Sequence, residues 1–219
     1  MNFNKIDIES WSRKPYFQQY FENTPCTYSL TANLDITTLL MNIKNENIKL
    51  YPTMIYVITT IVNRHQEFRT ALDENGNVGI WDEMNPSYTV FQKDSETFSN
   101  IWTEYNLDFS KFYESYLKDI EMYGNIKEFS PKPNIQKNTF PISSIPWTTF
   151  TGFNLNLYAG AKYLLPIFTM GKYFTQQGKI LLPISVQVHH AVCDGFHVAR
   201  FINECQQMIN GYNINMNVR

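Results

Sequence analysis

Cysteine is scarce, with three residues in 219: Cys26, Cys193 and Cys205. An odd, sparse set argues against a disulfide framework. No CxxC pair occurs, which argues against a structural zinc site. Charge is also thin. Asp, Glu, Lys and Arg make up 17 % of the chain, and the net charge is −2. No run of Lys and Arg reaches four residues, so a nucleic-acid-binding surface has little support. No stretch approaches the roughly 18 apolar residues of a membrane span. The first residues, Met1 to Lys5, have no apolar signal core behind them. These absences together read as a cytoplasmic, reduced protein. Linkers, internal repeats and low-complexity tracts are missing too, so one domain over residues 1–219 is expected.

Aromatic residues are abundant instead, with 16 Phe, 14 Tyr and 4 Trp. They supply large pieces of core and pocket wall and make disorder over the whole chain untenable. Residues 10–22 carry Trp11, Phe17, Tyr20 and Phe21, but Pro15 permits a helix only from its first turn, so this helix starts late or is kinked. The alternation over 27–34 predicts a strand, and Asp35 a cap for a helix to about Lys44. Residues 52–65 are apolar on most sides, as a buried helix is. Asn75-Gly76, between TAL and VGIW, predicts a hairpin. Strands follow over 86–92 and 97–104. Over 108–123, residues from Phe109 to Tyr123 share a helical face; a polar loop covers 124–138. Strands are expected over 139–145, 150–157, 164–174 and 179–189, then a helix from Gly195 to a stop at Gly211. This order suggests an α+β or mixed α/β sheet with helices packed on it.

The chemistry concentrates where the last long apolar strand ends in His189-His190 and Asp194-Gly195 opens the next helix. An unperturbed histidine titrates near ~6.5, so a neutral imidazole is available at cellular pH. His190 is then a candidate general base, able to take a proton from a hydroxyl that attacks a thioester. Asp194 either pairs with His190 or pairs with an arginine to hold the loop. A strand-end histidine satisfied by backbone carbonyls is the bland alternative. A Cys193 nucleophile is disfavoured, because adjacent Asp194 raises a thiol pKa. A metal site from His189, His190, His197 and Asp194 is disfavoured as well, because neighbouring strand histidines point to opposite faces.

The stretch 187–197, QVHHAVCDGFH, with Ser143-Ser-Ile-Pro-Trp147, resembles the chloramphenicol acetyltransferase family. Phe153-Asn-Leu-Asn156, Phe168-Thr-Met-Gly-Lys-Tyr173, Glu96-Thr-Phe-Ser99 and Trp11-Ser-Arg-Lys14 extend the likeness over nearly the whole chain. The short HHxxxDG pattern alone also resembles condensation domains, plant-type acyltransferases and dihydrolipoyl acyltransferase cores. The resemblance implies an α/β fold, a two-layer sandwich of a mixed β-sheet with helices packed on it, like other CoA-dependent acyltransferases. It implies a homotrimer with active sites between subunits, acetyl-CoA as co-substrate without metal or prosthetic group, and the primary hydroxyl of chloramphenicol as acceptor. It casts His190 as general base and Asp194 as partner of Arg13. Ser143 matches the donor to the tetrahedral oxyanion and Thr169 the holder of an ordered water. Tyr20, Tyr28, Phe98, Phe153 and Leu155 match walls for the acceptor; Trp147, Lys172 and Tyr173 match the coenzyme A channel. Gln19, Thr24, Tyr28 and Pro15 depart from the pattern and bear on acceptor affinity. A different alcohol or a dihydrolipoyl group is the alternative acceptor.

Overall fold

The computed structural model describes residues 1–155, 157 and 162–211. Its main sheet has seven strands. Six lie on one path, from β2 (Thr27–Asp35) through β10 (Lys179–His189), β8 (Ile167–Gly171), β7 (Thr139–Ile145) and β5 (Asn85–Gln92) to β6 (Thr97–Trp102), while β9 (Phe174–Gln176) pairs with β10. The β5–β7 and β7–β8 pairs are parallel; the others are antiparallel. A mixed sheet is thus present. A small second sheet joins β1 (Phe3–Lys5), β4 (Val78–Trp81) and β3 (Thr70–Leu72).

Helices α3 (Leu50–Arg64) and α5 (Gly195–Asn210) pack on each other and on strands of the main sheet, α5 on β2 and α3 on β5. Every residue of α3 from Pro52 to Val62 is buried, as an apolar surface without a polar side requires. Helix α5 is amphipathic and buries Val198, Phe201, Cys205 and Ile209 at helical spacing. Phe201 stacks on Phe168 of β8 at 4.9 Å and meets Phe68 edge-on at 5.4 Å. Its removal costs about 3–5 kcal/mol at such a fully buried site. The strand period of two places Val186, opposite Phe168, on this helix-covered face. Ser185 and Gln187 therefore face the other side.

Local chemistry explains most of the elements. Asn75-Gly76 closes the β3–β4 hairpin: Gly76 takes φ +80°, and the Asp73 carboxylate accepts from the backbone N–H of Asn75 and Asn77. Asp108 caps α4 (Phe109–Tyr123) by accepting from Ser110 and Lys111. Asp35 accepts from Thr37, the first residue of α2 (Thr37–Asn45), but Ile36 stands between, so Asp35 precedes the cap position. Pro15 falls in the first turn of the short α1 (Lys14–Phe17). The chain then widens into a π-helical turn, Gln18–Asn23, which no sequence periodicity announces.

Two strand expectations need correction. Residues 150–155 form no strand, and 156 lies outside the described residues. Two of their backbone groups bond to side chains of the sheet instead: Ser185 Oγ donates to the Phe153 carbonyl at 2.7 Å, and the Leu155 N–H donates to Gln187 Oε1 at 2.8 Å. The expected strand 164–174 is shorter, Ile167–Gly171, and a separate strand starts at Phe174.

Candidate active site

Strand β10 ends at His189, and a tight turn follows. The His189 carbonyl accepts from the N–H groups of Val192 and Cys193, and the His190 N–H donates to the Cys26 carbonyl at 2.8 Å. Arg13, immediately before α1, grips this turn. Its Nε donates to the Ala191 carbonyl at 2.7 Å and its Nη2 to the His190 carbonyl at 3.0 Å. The two Nη atoms bind the Asp194 carboxylate bidentately at 2.7 and 2.8 Å. One guanidinium fork thereby orders the turn and the start of α5, a geometry lysine cannot reproduce. Hydrogen bonds from Arg13 hold the Asp194 carboxyl below the usual carboxylate range. Burial opposes the charge of Arg13, but its bonds to Asp194 and the attraction of that carboxylate outweigh it, and its pKa is raised.

The imidazole of His190 is boxed in by aromatic rings. Tyr20, from the π-helical turn, stacks on it at 3.9 Å and 14°, and Tyr28 meets it edge-on at 5.5 Å. The Tyr28 hydroxyl reaches the Cys193 carbonyl at 3.4 Å; burial pushes its pKa up, so it stays a neutral phenol. His190 Nδ1 lies 3.3 Å from the Cys193 carbonyl oxygen and 3.3 Å from Asp194 Oδ1. Both neighbours are acceptors, so the ring hydrogen belongs on Nδ1 and the lone pair on Nε2. His189, by contrast, is buried, and its Nδ1 accepts from the Ala191 N–H at 3.1 Å. Cys193 is buried too. Burial first, then the charge of Glu67, pushes its thiol well up, the reverse of what a thiolate nucleophile needs.

Ser143 and Thr169 sit elsewhere. Ser143 of β7 pairs with Thr169 of β8, which pairs with Ser185 of β10, so the three form a row across the sheet. His190 lies five residues beyond Ser185 and two strands from Ser143. At ~3.3 Å per residue and ~4.8 Å per strand, the His190–Ser143 separation within one chain is on the order of 15–20 Å. Ser143 lines a cavity of about 610 Å³ with Tyr51, Phe91, Phe98, Tyr116 and Trp147. Trp147 meets Phe91 edge-on at 4.6 Å. Lys172 and Tyr173 line a separate groove of about 180 Å³ that Tyr51, Ser144 and Pro146 share.

The structure therefore sorts the expected residues into groups. Arg13, Tyr20, Tyr28, His190 and Asp194 meet at the end of β10. Ser143, Phe98 and Trp147 share the large cavity, with Thr169 beside Ser143 in the sheet. Lys172 and Tyr173 stand at the adjoining groove. Phe153 and Leu155 lie over the sheet face opposite the helices, at Ser185 and Gln187. Among the described residues no three His, Cys, Asp or Glu side chains form a metal-binding group. Two further contributors emerge. Tyr51 lines both cavities; it stands just before the helix expected over 52–65, whereas α3 begins at Leu50 and so carries it. His197 accepts from the Asp194 N–H through Nδ1 at 2.8 Å; the spacing of Asp194 and His197, cap and third helical residue, is the signal that locates it.

A family model described as chloramphenicol acetyltransferase matches residues 1–206. A Clostridium butyricum protein named chloramphenicol acetyltransferase is 62 % identical over 208 residues, 95 % of both chains. One of the same name from Campylobacter coli is 60 % identical over 210 residues, 96 % of this chain and all of that one. A solved chloramphenicol acetyltransferase superposes with a TM-score of 0.86 at 21 % identity, covering 95 % of this chain and 100 % of the other. A dihydrolipoamide acetyltransferase of Azotobacter vinelandii has a TM-score of 0.68 at 16 % identity, over 90 % and 86 %. The last two likenesses concern the fold, that of CoA-dependent acyltransferases.

Proposed function

Because the chain belongs to the chloramphenicol acetyltransferase family, and is an acyltransferase, we propose that it moves acetyl from acetyl-CoA to the primary hydroxyl of chloramphenicol and so confers resistance to the drug. The observation that carries the mechanism is the pair of acceptors around Nδ1 of His190. They leave Nε2 as the base. It takes the proton from the acceptor hydroxyl while that oxygen attacks the thioester carbonyl carbon. The Ser143 hydroxyl donates to the oxygen that becomes negative, and Thr169 holds a water near it. The carbon–sulfur bond then breaks, coenzyme A leaves as thiolate, and the imidazolium returns the proton to sulfur. Both substrates are bound together and no acyl-enzyme forms, in keeping with the high thiol pKa of Cys193. Arg13 and Asp194 hold the base in orientation rather than relaying its proton.

In this reading the protein is a cytoplasmic homotrimer of one-domain chains. His190 of one subunit faces Ser143 of the next, which removes the long separation within a chain. Tyr20, Tyr28, Phe98, Phe153 and Leu155 wall the acceptor; Trp147, Lys172 and Tyr173, joined by Tyr51, line the path of coenzyme A. The test is thiol release from acetyl-CoA by the purified protein with and without chloramphenicol. Release that depends on the drug is expected. Equal release with other alcohols or dihydrolipoamide, and none with the drug, overturns the acceptor.

A further inference from the structure

His197 takes no part in the reaction proposed above, yet it is tied to the turn that does. It is the third residue of α5, and its Nδ1 accepts from the Asp194 N–H at 2.8 Å. The same ring nitrogen is 3.8 Å from Asp194 Oδ2. Asp194 in turn holds Arg13 and lies beside His190 Nδ1. A ring nitrogen accepts only through a free lone pair, so His197 must be neutral, with its hydrogen on Nε2. Protonation at Nδ1 would set N–H against N–H and break the bond.

The surroundings keep it neutral. His197 lines a cavity of about 190 Å³ with Arg13 and Glu67. Burial is the largest influence and lowers its pKa; Glu67 and Asp194 act against this, Arg13 and Arg200 with it, and the net direction is down. The Glu67 carboxylate is itself paired with Arg200, one turn further along α5. Among the described residues these four charged groups act on the ring, from the segment before α1, the 3-10 turn Gln66–Phe68, the α5 cap and α5 itself.

We propose that His197 is a positioning residue: as a neutral acceptor it latches Asp194 to the first turn of α5 and thereby holds the turn that carries His190, and in acid it lets go. The part of this inference that concerns turnover rests on His190 being the base. Folded His197 binds a proton less readily than unfolded His197. Its contribution to stability is therefore whole above about 6.5, the unfolded value, and is lost as pH falls from there through the folded value.

Two substitutions in the full chain test the latch. His197→Asn keeps an acceptor near the Nδ1 position but does not titrate; His197→Leu removes the acceptor. Three readouts serve: ring nitrogen NMR on labelled wild-type protein, Tm between pH 5 and 8, and kcat with KM at pH 8. The NMR spectrum at pH 8 should give the Nε2–H tautomer. His197→Leu should lose roughly 10-fold in kcat with little change in KM, since small misplacements of a reacting group can cost up to about 10²-fold. His197→Asn should recover most of that loss, and its Tm should fall less from pH 7 to 5 than the wild type's. An Nδ1–H tautomer, an unchanged kcat in the leucine variant, or an equally steep Tm fall in the asparagine variant would overturn the proposal. If the leucine variant does not fold, the tautomer and the asparagine slope still decide. If His190→Ala retains turnover, the assignment of the base fails, while tautomer and Tm judge the latch independently.

Discussion

At the end of β10, Arg13, Asp194, His190 and Tyr28 are cross-linked by hydrogen bonds to one turn, and Tyr20 lies flat on the imidazole. Around Ser143 the material is different: a cavity of about 610 Å³ walled by aromatic rings, with Phe91, Phe98 and Trp147 exposed. The first region is preorganised for a proton and has its contacts inside one chain. The second offers apolar area, as surfaces do that take a large ligand or a partner. The proposed reaction needs both, and one chain holds them on the order of 15–20 Å apart by strand geometry. On the proposed mechanism the base is assembled by folding, whereas the complete site is assembled by association.

The largest effect should come from the first region. His190→Ala should lower kcat in the thiol-release assay by about 10²–10⁴-fold, the usual contribution of a general base. A loss under tenfold would make the cross-linked end of β10 merely structural. In the second region, Ser143→Ala should lower kcat by roughly 10²-fold with KM little changed, the mark of a donor that acts on developing charge. A raised KM with unchanged kcat would turn Ser143 into a wall residue.

A mixing experiment tests directly whether the two regions meet across subunits. If each site takes His190 from one subunit and Ser143 from the next, co-refolding equal amounts of His190→Ala and Ser143→Ala chains should regenerate intact sites. Random assembly around a closed ring makes about one site in four complete. Turnover near a quarter of wild type is expected from two nearly inactive parents. No recovery, with hybrid oligomers verified by mass, would put the whole site within one chain.

Much of this was legible in the chain, and the exceptions share a cause. Asn75-Gly76 announces its hairpin because a positive φ favours glycine locally. The apolar run 179–189 and the stripe of α5 announce the core by period alone. The pattern over 150–157 misleads: the Phe153 carbonyl and the Leu155 N–H are satisfied by Ser185 and Gln187, which no alternation can reveal. The π-helical turn is equally hidden. Its ends are joined by the Thr24 N–H to the Gln19 carbonyl, and it is steadied by Cys26 N–H to the Tyr20 carbonyl and by the stack of Tyr20 on His190. Gln19 and Thr24, read from sequence as departures that bear on the acceptor, also join side chain to side chain across that turn at 3.2 Å. Arg13 and Asp194 are 181 positions apart; resemblance pairs them, but spacing cannot. What sequence missed is thus long-range and polar, where a side chain's partner decides its role.

The smallest effect belongs to the carboxylate that joins the turn to α5. Asp194→Asn keeps the shape but removes the charge opposite Arg13. The Asp194 side chain is 37 % exposed, so solvent screens the pair, and a cost of roughly 1–2 kcal/mol is expected, below the about 3–5 of a fully buried pair broken on one side. Its pKa is lowered on folding, chiefly by the Arg13 hydrogen bonds. The unfolded chain therefore takes up a proton first. Stability from this group is whole above the unfolded value of about 3.9 and is lost as pH falls through the folded one. Thermal unfolding between pH 7 and 3 should show wild type and Asp194→Asn converging at the acid end. Separation that persists there would mean the substitution acts through packing, and the turn at the end of β10 would owe its order to something other than the charge pair.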